Sequence, residues 1–220
     1  MDFTITHQPF YAMLNLNLNA GDHIKAEAGA MVYMSPGLEI ETKMGSGILS
    51  AFKRKFFGGE SFFFNYYKAA VASKISLAPD LPGDILHLIL NNQTILIQSS
   101  SYLASVDSIA VESRFGGLKT LFGGEGLFLL AASGSGDLFL NAYGAIVPID
   151  IDSTYTVDTG HIVAFENSLN FSVKRAGGSW KSMFFSGEGL VAEFSGKGRL
   201  WIQTRVPGGL VSWLTPLLPK

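Results

Sequence analysis

Glu60, Glu125 and Glu188 are the first residues to suggest chemistry, because each closes the same short phrase. Phe56-Phe57-Gly58-Gly59-Glu60, Leu121-Phe122-Gly123-Gly124-Glu125 and Phe184-Phe185-Ser186-Gly187-Glu188 set two bulky apolar residues before a small residue, a glycine and a carboxylate. A carboxylate beside flexible glycines has the makings of a general base or a metal ligand. Three copies speak for a structural part instead. Glycine tolerates positive φ at a tight corner, and a carboxylate there can accept hydrogen bonds from backbone amides that would otherwise be orphaned. Gly58, Gly59, Glu60, Gly123, Gly124, Glu125, Gly187 and Glu188 are therefore read as structural corners, not as catalytic groups.

Other reaction chemistry is sparse. His7, His23, His87 and His161 form no i, i+2 or i, i+4 pair, so the paired imidazoles of a metal site are missing, and His87 reads as an ordinary residue of the apolar strand 86–90. The absence of cysteine removes disulfides, thiolate ligands and cysteine nucleophiles together. Ser195-Gly196-Lys197-Gly198 lacks the first glycine and the hydroxyl residue of a phosphate loop, and neither a dinucleotide fingerprint nor a Gly-x-Ser-x-Gly elbow occurs. No catalytic residue, cofactor site or metal site is assigned, and a non-enzymatic protein is expected.

The corners need a framework, and the sequence between them reads as β. Met13, Leu14, Leu16 and Leu18 alternate with Asn15, Asn17 and Asn19, the period-two signal of a half-buried strand, and extended segments follow at 24–34 and 38–42 around the turn Ser35-Pro36-Gly37. The pattern returns twice. Leu16, Leu18, Gly29 and Met34 match Leu86, Leu88, Ser99 and Ala104, then Val147, Ile149, Gly160 and Phe165. Glu125 follows Glu60 by 65 residues and Glu188 follows Glu125 by 63, so one supersecondary unit is copied and stacked. After the second and third glutamates, Ser133-Gly134-Ser135-Gly136-Asp137 and Ser195-Gly196-Lys197-Gly198-Arg199 predict hairpin turns. Short helical turns are expected only at 48–57 and 210–215. The expected fold is all-β: one domain of three tandem β-sandwich repeats about a pseudo-threefold axis, at about 1–81, 82–143 and 144–206, with an apolar tail at 207–220.

Composition narrows the setting. With 47% apolar and only 15% charged residues and a mean hydropathy of +0.27, the surface is thinly charged or partly covered, and a homo-oligomer is expected. A net charge of −2 gives no global basic field, which argues against nucleic acid as the main partner. The start of the chain lacks a secretory pattern and no apolar run reaches the ~18 residues of a membrane helix. A cytoplasmic protein without a transmembrane segment, peripheral to a membrane at most, is expected.

Two stretches are candidates for interaction. Lys53, Arg54 and Lys55 head a basic and aromatic strip at 52–68, which offers the alternative of RNA binding. The tail carries Trp213, Leu214 and Leu217 among its apolar residues, while Pro216 and Pro219 forbid a long helix, so it either covers the core or docks on a membrane-associated protein partner or a membrane surface.

With its three Gly-Gly-Glu-type corners, the glycines Gly45, Gly116 and Gly177 before them and its proline-containing apolar tail, the chain resembles the family named for altered inheritance of mitochondria protein twenty-four. The likeness runs from about residue 4 to 215, most specifically at Arg54-Lys55-Phe56-Phe57-Gly58-Gly59-Glu60-Ser61. The resemblance implies a TRAP-like fold, a short double-stranded β-helix in each repeat, and for the mitochondrial relatives a role in inner-membrane organisation. It carries no catalytic residue. A non-enzymatic scaffold or binding module that self-associates is the expected function.

Overall fold

A computed structural model of the chain describes residues 1–44, 63–114, 128–175 and 190–218. Among them the alternating segments become strands. Those of the first third are β1 (Asp2–Thr6), β2 (Met13–Leu18), β3 (His23–Glu27), β4 (Met31–Met34), β5 (Leu38–Met44), β6 (Phe63–Ala69) and β7 (Ser73–Leu77). The middle third holds β8 (Ile85–Gln98), β9 (Tyr102–Val106), β10 (Ile109–Arg114) and β11 (Leu129–Asn141). The last holds β12 (Ile146–Ile151), β13 (Thr154–Asp158), β14 (Ile162–Glu166), β15 (Asn170–Arg175), β16 (Leu190–Ser195) and β17 (Gly198–Gln203), followed by one short helix, α1 (Pro207–Leu214). In β2 the leucines Leu14, Leu16 and Leu18 are buried and the intervening asparagines are not, as period-two patterning requires.

All described strand ladders are antiparallel, and they form three sheets: four strands in the order β1-β2-β7-β4, ten strands along β12-β17-β14-β8-β11-β9-β3-β6-β5 with β10 beside β11, and three strands in the order β13-β16-β15. Within residues 13–77, β7 pairs with β2 and β4, and β6 pairs with β3 and β5. Within 146–203, β17 pairs with β12 and β14, and β16 with β13 and β15. In the middle span single long strands do the same work. The first half of β11 pairs with the second half of β8 and with β10, and its second half with the first half of β8 and with β9.

These pairings correct one expectation. The glycine-rich stretches after the second and third corners are not hairpin turns: β16 and β17 lie in different sheets, and β11 runs unbroken through Gly134 and Gly136 with a register shift at Gly134/Ser135. Positive φ serves a sheet-to-sheet bend as well as it serves a hairpin. Gly134 and Gly136 hold φ of 138° and 133°, a region almost closed to side chains, and a Cβ on Gly134 would run into the Ser108 carbonyl oxygen.

Two further ladders join the spans edge to edge. β3 pairs with β9 (Ile24↔Val106, Lys25↔Ser105, Ala26↔Ala104), and β8 pairs with β14 (Ile95↔Glu166, Leu96↔Phe165, Ile97↔Ala164). The cores follow the joins. One apolar cluster surrounds Leu14, Leu16 and Ile75 but takes in Leu103 and Phe139, a second combines Ile97 and Leu138 with Phe64 and Trp201, and a third sets Leu96 and Leu129 among Phe165, Phe194 and Leu200.

Gly134→Ala is expected to destabilise the protein by about 2–4 kcal/mol in urea unfolding, since it adds a backbone clash to an unfavourable φ. Gly196→Ala, at φ 107° with no heavy atom closer than 3.6 Å to the new methyl, is expected to cost about 1–2 kcal/mol. Equal losses would show that the bend at Gly134 is not sterically closed.

Candidate functional site

Among the described elements the tail is the most exposed apolar one. Pro207 opens α1 at its first turn, where the missing amide does no harm, and a 3-10 turn at Thr215–Leu217 carries the chain on. Every residue from 207 to 218 is exposed, and no Asp, Glu, Lys or Arg stands among them. Trp213 is 66% accessible and Leu217 64%, with Val211, Leu214 and Leu218 alongside. Of the residues read from the sequence as candidates for interaction, Trp213, Leu214 and Leu217 are each exposed. The tail does not cover the core.

Lys53, Arg54 and Lys55, and the corners Gly58, Gly59, Glu60, Gly123, Gly124, Glu125, Gly187 and Glu188, lie outside the described residues. The far end of the basic strip is described, as part of β6. There Tyr67 is a core residue, and Tyr66 lies beside a buried lysine.

That lysine is Lys25. It sits on β3 at the join with β9, buried, with Nζ donating to the Ile109 carbonyl at 2.7 Å and standing 5.8 Å and 5.9 Å from the ring centroids of Phe64 and Tyr66. Burial pushes its ammonium pKa down, and the charge of Asp107 opposes that. The Tyr102 hydroxyl donates to the Lys25 carbonyl at 3.2 Å and lies 2.9 Å from Ser105 Oγ, and burial raises its pKa far above the usual phenol range. Two residues along β3, Glu27 is pushed up to about 7, first by burial and then by the nearby charge of Asp80.

A second polar feature lines an open cleft of about 310 Å³ between Ile5, Gln8, Asp84, Ile146, Pro148 and Trp201. His87 borders it, with Nε2 2.7 Å from Asp137 Oδ1 and its ring against Phe3 and Phe139 at 4.5 Å and 5.0 Å. The imidazole is thus held by a carboxylate and two aromatic rings, stacked on Phe139 and tilted against Phe3. Among the described residues no group of three or more His, Asp or Glu is placed to hold a metal ion, and no helix is long and apolar enough to cross a membrane.

Neither cluster was visible in the sequence. Lys25 and Glu27 alternate with Ile24 and Ala26 like any outward-facing pair, and the middle span's joining strand carries Leu96 and Ile97 in the corresponding ladder, so only the long-range pairing reveals that Lys25 is enclosed.

An all-β chain of antiparallel sheets joined at their edges, with an exposed apolar tail, is the class these features define. A family model described as Mitochondrial biogenesis AIM24 matches residues 3–205, and the chain belongs to that family, the one the corner phrases resembled. It is 31% identical over 213 residues to an uncharacterized protein of Streptococcus pyogenes serotype M6 (M6_Spy0233), covering 93% of this chain and 86% of that one. It is also similar to the crystal structure of the protein SPYM3_0169 from Streptococcus pyogenes, with a TM-score of 0.83, 28% identity and 99% of both chains covered.

The pKa of Glu27 predicts how stability varies with pH. Between its ordinary 4.5 and about 7 the unfolded chain gives up this proton first and the folded chain keeps it, so the group's contribution is present below 4.5 and lost as pH rises through 7. Glu27→Gln is expected to raise the unfolding free energy at about pH 8, by on the order of 3 kcal/mol at most, and to have little effect at about pH 4. Urea unfolding at the two pH values measures this; a gain that is the same at both would show that Glu27 is not desolvated.

Proposed function

We propose that the chain is a non-enzymatic scaffold or binding module that self-associates and docks, through its apolar tail, on a protein partner or a membrane surface. The observation that carries this reading is the run from 207 to 218, uncharged and exposed throughout, with Trp213 and Leu217 on its surface. Exposed apolar area on this scale is what docking removes from water. The family description names a process, not a reaction, and adds no catalytic residue. A cytoplasmic location, peripheral to a membrane, accompanies the reading.

We also read the fold as three tandem units about a pseudo-threefold axis, TRAP-like in architecture. The recurrence of the pairings supports this: in the spans 13–77, 85–141 and 146–203 the fifth strand, or its equivalent half of β11, pairs with the second and fourth, and the sixth with the first and third.

Native co-purification and light scattering of the intact chain, against a version ending at Pro207, test the function. The intact chain is expected to self-associate and to retain a partner or bind vesicles, and the shortened one to self-associate without either. A monomer whose shortening changes no interaction would overturn the reading.

A further inference from the structure

The two joins between spans have the same construction. Each pairs the second strand of one span with the third strand of the next, three residue pairs long, in the same register: Ala104 faces Ala26 and Ser105 faces Lys25 in one, Ala164 faces Ile97 and Phe165 faces Leu96 in the other. Each third strand also carries a one-residue register shift where it meets its inner neighbour, passing over Leu103 in β9 and Val163 in β14.

Two halves of that join are left over. β4 is the third strand of the first span and ends the four-stranded sheet; β13 is the second strand of the last span and ends the three-stranded sheet. β4 has the shift of β9 and β14 as well, passing over Val32 against β7. What differs is cover. All but the last residue of β9 and of β14 is buried, whereas every residue of β4 is exposed, Val32 at 53% and Tyr33 at 50%. Thr154, Tyr155 and Thr156 of β13 are exposed too. Free edges are usually guarded by lysine, proline or an inward charge. Met31-Val32-Tyr33-Met34 carries none of these, and β13 carries only Asp158 at its end, where the carboxylate accepts from the Gly160 amide.

We infer that β4 of one copy of this chain pairs antiparallel with β13 of a second copy, as a third join of the same kind. The inference rests on the self-association and the three-unit reading proposed above. The shared register sets Tyr33 opposite Val157, Met34 opposite Thr156 and Ser35 opposite Tyr155, and fuses the four-stranded and three-stranded sheets of neighbouring copies. The partner is a copy of this chain because the internal joins show what complements a third strand, namely a second strand of a like unit; among the described strands β13 is the one second strand left unoccupied, and β4 and β13 of one chain lie in separate sheets and do not pair with each other. The contact joins unlike patches, so it runs head to tail, ending in a closed ring or a filament according to the rotation per copy.

Light scattering on Met34→Asp, Thr156→Asp and their mixture tests this. Each aspartate disables one edge and leaves the other intact, and circular dichroism checks that the variants are folded; Glu at the same positions serves if an aspartate variant is not. The unaltered chain is expected at multiples of 23.7 kDa and each variant alone at 23.7 kDa. An equimolar mixture is expected to double in mass and stop there, because one intact β4 meets one intact β13 and the outer edges are blocked. A chain that stays at 23.7 kDa when unaltered would overturn both this inference and the self-association it rests on. Assembly that persists unchanged in both single variants would overturn this join alone and move the interface elsewhere.

Discussion

A strand edge is a row of backbone donors and acceptors that must be paired or wetted, and in this protein that constraint decides how small sheets become a domain. The ladders within one span yield half-sheets of three or four strands, each with too little apolar face for a core of its own. Pairing β3 with β9 and β8 with β14 covers four strand edges and merges the half-sheets into the ten-stranded sheet. The apolar clusters then close across the joins: Phe139 and Leu103 complete the core around Leu14, and Leu96 and Leu129 complete the one around Phe194. Neither join is longer than three residue pairs, so its strength lies in the side chains it brings together, not in its hydrogen bonds alone.

The joins are alike in backbone and unlike in side chains. Leu96 against Phe165 is an apolar pair, while the same rung of the other join holds Lys25 against Ser105. A buried ammonium is costly unless it is hydrogen-bonded, and Lys25 meets that demand with the Ile109 carbonyl and two aromatic faces. Because Ile109 belongs to the middle span, the bond ties the first span to the second. A slip of the β3·β9 ladder would leave the charge unpaired, and the apolar join offers it no partner. The polar join thereby distinguishes two otherwise interchangeable edges.

Much of the fold was legible because alternation survives in the strands: Leu14, Leu16 and Leu18 are buried as read, the helical turn expected at 210–215 lies within α1 and the 3-10 turn after it, and the corner phrases pointed to the right family. What alternation cannot fix is register. A pattern of period two is unchanged by a shift of two, and the ladders that set Leu16 against Ile75, Leu88 against Leu138 and Ile149 against Leu200 align Leu16 with Leu88, not with the Leu86 that the sequence pattern chose. The glycine-rich stretches failed for a related reason. Gly134 and Gly136 announce positive φ, but the same dihedral bends one strand between two sheets or reverses it in a hairpin, and the choice depends on partners far away in the chain. Lys25, Glu27 and the His87–Asp137 pair were missed because their partners lie 50 or more residues away or on another strand altogether.

The distribution of exposed apolar side chains follows from the chain of joins. The middle span has a neighbour on both sides, and among its described residues Ile89 is the one large apolar side chain left exposed. The first span exposes Met31, Val32, Tyr33 and Met34 on β4 together with Ile40, Phe63 and Val71, the last exposes Val147, Tyr155 and Phe171, and the tail exposes Trp213 and Leu217 beyond it. Low overall charge is therefore not spread evenly over a greasy surface. It reflects cores that are shared across the joins, together with apolar residues exposed on the first and last spans and on the tail. Surfaces of that kind sit at the two ends of the architecture, where a further edge or a partner can be added without disturbing the joins already made.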